Sequence, residues 1–287
     1  MRLSLHFAGA SLAALSFLLL PFPLHAAPPE HFWTGENGKW EAAENWDPAS
    51  VPDRLSMVII DKPVEVDAGE VVFSHTGEGM GGKFTALTLD GGARLKVSGN
   101  LTILSAAASP NTAIRNALIG KNCALDVGGT LTTGVQNASG VTSVWTISGT
   151  VTTDYFAGAK TRSETAESRL AGGYVLNVDG GKLTVRKLFD WADDRTTHPG
   201  STGQINLRVG GEVSVGVMDA DWTSSTENYV NFVDETGRLV FGKENWPNRS
   251  DVESLIQKGF LRLDRSVTRP LEIGEENGNW VVKVKKP

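Results

Sequence analysis

The feature that most constrains this chain is self-similarity at a spacing of about 30 residues. The stretch Leu87–Val97 is echoed by Ala117–Val127, with Leu95 and Val97 replaced by Leu125 and Val127, and Leu101 reappears as Leu131. Further copies run Trp145–Thr153 around Gly149, Val175–Val185 around Gly180-Gly181, Ile205–Val215 around Gly210-Gly211, and Val230–Phe241 around Gly237. Each copy is a short alternating strand, a glycine-containing bend and a second strand. A unit of this size has one apolar face that it cannot bury alone, so neighbouring units must stack and share a core.

The alternation inside each unit fixes the element type. Leu183 and Val185 alternate with Lys182, Thr184 and Arg186, the period of two that places successive side chains on opposite faces of a strand. Helix-period stretches are almost absent between Met57 and Phe241. The glycine pairs fall where the chain must change direction, because glycine tolerates positive φ at little steric cost. A β-sandwich or jelly roll would space its strands at 8–12 residues and does not account for a repeat near 30. The expected fold is all-β, a right-handed parallel β-helix of about six coils over residues 62–242. At about 4.8 Å per coil such a prism is on the order of 30 Å long.

The ends break the pattern. Residues 27–61 carry Trp33, Trp40 and Trp46 and read as an N-terminal cap, since a solenoid must cover its exposed strand edges. Residues 243–287 read as a small α+β C-terminal cap. There Ser250-Asp251-Val252-Glu253 suggests a capping box, Gly259 a helix stop, and Asn277-Gly278 a tight hairpin turn.

Ahead of the repeat, Arg2 and the apolar run Phe7–Leu20 form a segment too short for a membrane span, closed by Pro21, Pro23 and the small residues Ala26 and Ala27. This is the pattern of an export signal peptide over residues 1–26, cut after Ala26 or Ala27. The expected location is secreted, cell-surface or periplasmic, with no membrane span after cleavage. The lone cysteine, Cys123, excludes an intrachain disulfide and is expected to pack as a small apolar residue. With 33 acidic against 27 basic residues, the chain lacks the basic footprint of a nucleic-acid binder.

The stretch Trp33-Thr34-Gly35-Glu36-Asn37-Gly38-Lys39-Trp40, followed by Asn45-Trp46, Pro52 and the apolar strand Met57–Ile60, resembles the opening of a class of secreted bacterial β-helix proteins. These are the autotransporter-associated β-strand repeat and PEP-CTERM-type proteins, abundant in the Verrucomicrobia and Planctomycetes group. The stretch from Tyr229-Val230-Asn231-Phe232 through Gly237–Phe241 to the helix signal looks like the close of such proteins. The resemblance implies export, β-helical architecture and a surface or adhesion role without assigned chemistry. The residues up to Pro287 match neither a sorting anchor nor a translocator barrel.

Candidate chemistry gathers after two of the repeats. Asp190, Asp193 and Asp194 follow one copy, and Asp219 and Asp221 follow the next. Asp190 and Asp219 are 29 positions apart, close to one coil, so they could stack about 5 Å from each other. Carboxylates that close can share a proton, act as acid and base, or bind Ca²⁺, and Arg186, Arg195 and Arg208 are near in sequence. Against this, aspartate is common in turns because it bonds its own backbone. Trp191 and Trp222 occupy matching positions, in Phe189-Asp190-Trp191 and Ala220-Asp221-Trp222. Side by side they would make a stacking platform for sugar rings, or else cover the corner of a coil.

His31, His75 and His198 lie in expected loops without ligand spacing, so no metal site is expected from them. Gly77-Glu78-Gly79-Met80-Gly81-Gly82 is followed by no helix and reads as a loop rather than a phosphate cradle. No cofactor is expected beyond Ca²⁺. The leading expectation is a non-enzymatic structural or adhesion protein whose partners are extracellular glycans or surface proteins. The alternatives are a carbohydrate-binding module using the lateral aromatic and acidic face, and a polysaccharide lyase or hydrolase.

Overall fold

The structure is a computed structural model that describes residues 28–77, 85–107, 113–135, 142–158, 173–190, 202–218 and 228–287. It is an all-β parallel solenoid of about six turns. The first sheet stacks Met57–Ile60, Leu87–Leu89, Ala113–Ile119, Thr142–Ile147, Gly173–Asp179, Thr202–Arg208, Tyr229–Phe232 and Leu261–Leu263, each parallel to the next. The second stacks Glu65–Ala68, Arg94–Val97, Ala124–Val135, Thr150–Gly158, Lys182–Asp190, Glu212–Met218 and Arg238–Gly242 in the same way.

The register follows the repeat read from the sequence. Leu95 pairs with Leu125 and Val97 with Val127, Leu101 with Leu131, Val185 with Val215 and Val215 with Phe241. Inward side chains therefore form continuous columns. One runs Ile60, Leu89, Ile119, Ile147, Val178, Leu207, Phe232 in the first sheet. Its counterpart in the second runs Val66, Leu95, Leu125, Val151, Leu183, Val213, Leu239. All of these are buried, and one coil's residue covers the next coil's, which is how a unit too small for its own core acquires one.

The bends repeat as well. Backbone hydrogen bonds from Asp90 N–H to Ile60 O, Gly120 N–H to Leu89 O and Ser148 N–H to Ile119 O carry the ladder through the turns between sheets. Glycine is required there for two separate reasons. Gly210 has φ of +80° with open space around its Cα, whereas a Cβ on its neighbour Gly211 would lie 2.0 Å from the carbonyl oxygen of Val178. The first is a conformational demand and the second a demand for close backbone approach. Cys123 is buried beside one such turn, as expected.

A third wall was not separated in the sequence. Beyond a corner, the second sheet continues as a distal arm: Val71–Gly77 pairs with Leu101–Ala107, and Leu101 onward pairs with the later part of Ala124–Val135. The arm then continues through the later parts of Thr150–Gly158, Lys182–Asp190 and Glu212–Met218. Its inward column is Val71, Leu101, Leu131, Phe156, Phe189, Met218. Phe156 and Phe189 stack with centroids 4.5 Å apart and planes 18° apart.

At the N-terminal end Glu30–Trp33 runs parallel to Met57–Ile60 and antiparallel to Trp46–Asp47. Trp33, Trp40 and Trp46 are all buried, with Trp46 edge-on to each of the other two at 4.8 Å and Trp40 edge-on to Phe73. His31 was expected in a loop; it lies in the strand Glu30–Trp33 and is buried, with Nε2 3.1 Å from Ser50 Oγ.

At the other end the ladder becomes antiparallel. Arg238–Gly242 pairs with Asn279–Val284, which pairs with Leu271–Glu276 across the Asn277-Gly278 turn, both of whose residues have positive φ. The helix spans Arg249–Gln257 and buries Val252 and Leu255. Its start differs from the expected capping box. Asn248 is the N-cap and makes no side-chain capping bond, and Ser250 lies inside the helix. The stop is as expected: Gly259 has φ of +76°, Gly259 N–H bonds Ile256 O and Phe260 N–H bonds Leu255 O, a Schellman ending.

Candidate functional site

The distal arm's outer surface is the place where polar, aromatic and aliphatic side chains converge. One outward row runs Thr130, Tyr155, Leu188, Val217. Beside it another runs Val72, Thr102, Thr132, Ala157, Asp190. Between them lies a groove of about 420 Å³, with Glu70 and Asn100 at its early coils and Asp190 at its late one. Asn100 is held in place because its Oδ1 accepts the Thr130 backbone N–H at 2.8 Å.

The corner decides what this surface presents. Strict alternation from Thr153 would send Tyr155 inward and Phe156 outward. The register instead slips between Thr153 and Tyr155, so Tyr155 is 40% exposed and Phe156 is buried. The next coil slips between Val185 and Leu188, leaving Arg186 and Lys187 exposed together. These bulges turn the strand at the corner and re-aim the side chains after it.

Charges gather at that bulge. Asp154 accepts from Arg186 Nε at 2.6 Å and Lys187 Nζ at 2.6 Å, while Arg186 also reaches Asp126 one coil further down, at 3.5 Å. The hydrogen bonds from Lys187 and then Arg186 hold the Asp154 carboxyl below its usual range, and the same Asp154 contact raises Lys187. The Lys187 ammonium lies 5.2 Å from the Tyr155 ring centroid, close enough for cation–π attraction that pins the ring.

Similar ladders bind coil to coil elsewhere. Glu212 takes Lys182 at 2.8 Å and Arg238 at 3.1 Å, and Glu276 takes Arg238 and Lys283, each at 2.8 Å. Lys283 first and Arg238 second push Glu276 down to about 2. Arg208 forks onto Asp179. Inside the solenoid a fully buried polar cluster joins two neighbouring coils. Asn116 Nδ2 donates to Ser143 Oγ at 2.6 Å, Ser143 Oγ lies 3.2 Å from Thr133 Oγ1, and Trp145 Nε1 donates to Thr133 at 2.6 Å.

No family model, curated protein or solved structure matches the chain. The site is therefore read from its own residues.

Of the residues singled out in the sequence, Asp190 is described. It is half-buried at the end of Lys182–Asp190, on the late side of the groove, and its charge, after burial, contributes to raising the phenol of the buried Tyr174. Trp191, Asp193, Asp194, Asp219, Asp221 and Trp222 lie outside the described residues, as do Arg195, His198 and Glu78–Gly82. The register ends at Phe189 opposite Met218, one position before the Asp190 and Asp219 pair. Arg186 and Arg208, expected near those acids, are bound to Asp154 and Asp179. Among the described residues no group of three or more His, Cys, Asp or Glu side chains lies together as a metal site, and no helix is long and apolar enough to cross a membrane.

The groove residues missed by sequence reading are Asn100, Thr102, Thr130, Thr132, Tyr155 and Leu188. Each is ordinary for a strand or a turn, and only coil register assembles them. The signal that was available is Tyr155-Phe156 after Thr153, two adjacent aromatics where alternation allows one inward.

Proposed function

We propose that this chain is an exported, non-enzymatic β-solenoid that serves as a structural or adhesive scaffold outside the inner membrane. The observation that carries the reading is the use made of its perturbed carboxylates. A carboxyl that works as a general acid is tuned upward, by burial or by a like-charged neighbour. Asp154 and Glu276 are tuned the other way, by cations on neighbouring strands. In this arrangement the acids are fastenings between coils. The lateral walls become rigid surfaces whose side chains recur at the coil spacing, a geometry suited to holding an extended partner by many weak contacts.

The leader-like segment Arg2–Ala27 supports export, and the resemblance of Trp33–Trp46 to secreted β-helix proteins supports a surface role. The test is direct. The fluorescently labelled mature chain is mixed with bacterial cells and extracellular matrix, and the bound fraction is measured with and without excess unlabelled protein. Saturable, competable retention is expected. Protein that remains wholly in solution, or that releases reducing ends from polysaccharide substrates, would overturn the proposal. Mass spectrometry of the exported chain should find its first residue at Ala27 or Pro28.

A further inference from the structure

We infer that the distal-arm groove binds a neutral polysaccharide, laid parallel to the solenoid axis. The inference names a partner for the adhesive scaffold proposed above and rests on that reading. From the Val72 strand to the Asp190 strand the groove crosses five strands of the parallel ladder, a length of about 19 Å at the interstrand spacing. That is the footprint of several sugar rings rather than of one small molecule.

The chemistry of the floor and walls selects the class. A pyranose offers a C–H face and a rim of hydroxyls. The groove offers an exposed phenol ring, Tyr155, beside the aliphatic Leu188, with the hydroxyls of Thr130 and Thr132 in adjoining rows. Asn100 has its oxygen committed to the Thr130 amide, which leaves its NH₂ as a donor toward the groove. These groups are short and fixed by the ladder, so little side-chain entropy is lost when a ligand seats on them. Tyrosine suits such a platform because its ring is apolar on its face and polar at its tip.

Other polymers fit less well. A peptide adding as a strand needs a free sheet edge, and the groove lies on a sheet face whose backbone groups are already paired in the ladder. A polyanion would meet Glu70 at one end and Asp190 at the other, on a chain of net charge −6. Uncharged sugars meet no such opposition, and the Glu70 carboxylate can accept their hydroxyl hydrogen bonds.

The test is affinity electrophoresis of the folded chain through native gels containing a soluble glucan, mannan or xylan, with polygalacturonate as the acidic comparison. At least one neutral polymer is expected to retard the protein. Tyr155→Ala and Thr132→Val should each weaken that retardation, Tyr155→Ala by about tenfold, while Leu118→Ala on the exposed face of the first sheet leaves it unchanged. Far-ultraviolet circular dichroism and thermal unfolding confirm that each variant is folded before its mobility is compared. Retardation by polygalacturonate alone, by none of the neutral polymers, or undiminished in both groove variants would overturn the inference. Run beside the cell-retention assay, the outcomes separate. Retention that survives Tyr155→Ala removes the groove and keeps the scaffold, whereas retardation in gels without retention on cells or matrix keeps the groove and removes the adhesive role.

Discussion

Replacing Phe156 with alanine tests the register of the distal arm and the stacking on which the groove rests. Phe156 is 1% exposed, stacked on Phe189 at 4.5 Å and edge-on to Tyr174 at 5.7 Å. An aromatic ring of this kind buries about 150–250 Å². At about 25 cal/mol per Å² that is worth roughly 4–6 kcal/mol. Alanine keeps the Cβ and the neighbours collapse in part, so the expected loss is about 3–5 kcal/mol. Phe156→Leu, which retains most of the volume but not the stack, should cost about 1–2 kcal/mol. Its neighbour Tyr155 faces out, and Tyr155→Ala should stay within about 0.5 kcal/mol. Set against a total stability of about 5–15 kcal/mol, the alanine at 156 is severe. Because each coil contacts mainly its neighbours, the damage should concentrate at Thr150–Gly158 and the coils on either side. Urea unfolding gives the free-energy change, and hydrogen exchange read by mass spectrometry gives its location. If Phe156→Ala cost less than about 1 kcal/mol, or no more than Tyr155→Ala, the slip at the corner and everything built on it would be wrong.

The remaining expectations are shorter. Acidification should loosen the C-terminal hairpin: Glu276 is depressed from 4.5 to about 2, so its stabilisation is complete above pH 4.5 and fades as the pH falls toward 2. Glu276→Gln should lower Tm at neutral pH and flatten the profile over that window; an unchanged profile would remove the ion-pair ladder from the argument. Gly210→Ala should cost about 1–2 kcal/mol through left-handed strain alone, and Gly211→Ala more, because its Cβ meets the Val178 carbonyl at 2.0 Å; the reverse order in urea midpoints contradicts the close-approach reading. Trp46→Ala removes a ring 2% exposed and both 4.8 Å edge contacts, an expected loss of about 3–5 kcal/mol, measurable by thermal unfolding. Asn116→Ala should cost about 1–3 kcal/mol by stranding buried polar groups such as Ser143, and a neutral result would mean that water takes its place.

The two main sheets were legible because their repeat is nearly uniform. Leu95 and Leu125, and Val185 and Val215, lie one coil apart by simple shift, and the register confirms each pair. The distal arm was not, because the corner between inward residues varies. Thr153 and Phe156 face inward three positions apart, but Val185 and Phe189 four. The column Leu131, Phe156, Phe189, Met218 is therefore unevenly spaced in the chain although it is straight in space. A fixed-period search keeps Leu101 and Leu131 in step after the corner but loses Phe156 and Phe189 in the coils that follow. The helix start failed for a local reason: a serine followed three residues later by a glutamate makes a capping box only when the serine is the N-cap, and the chain turns two residues earlier, at Asn248.

The corner also explains why function is harder to read than fold in a chain of this kind. The inward columns are constrained at every coil, since each residue must cover the one below, and they leave a periodic trace in the sequence. The outward rows carry no such constraint, and what they display depends on where a bulge falls. Two residues stand between the inward Thr153 and Phe156 where the next coil has three between Val185 and Phe189. This shorter corner turns Tyr155 out to the groove and Phe156 in to the stack, and its Asp154 carboxylate anchors Arg186 and Lys187 from the next coil. Lys187 in turn holds the ring of Tyr155. The length of a single corner thus sets the exposed aromatic, the buried aromatic and the charge cluster together. In a solenoid whose core is nearly interchangeable from coil to coil, such irregularities at the corners are the sites where a particular surface can be made.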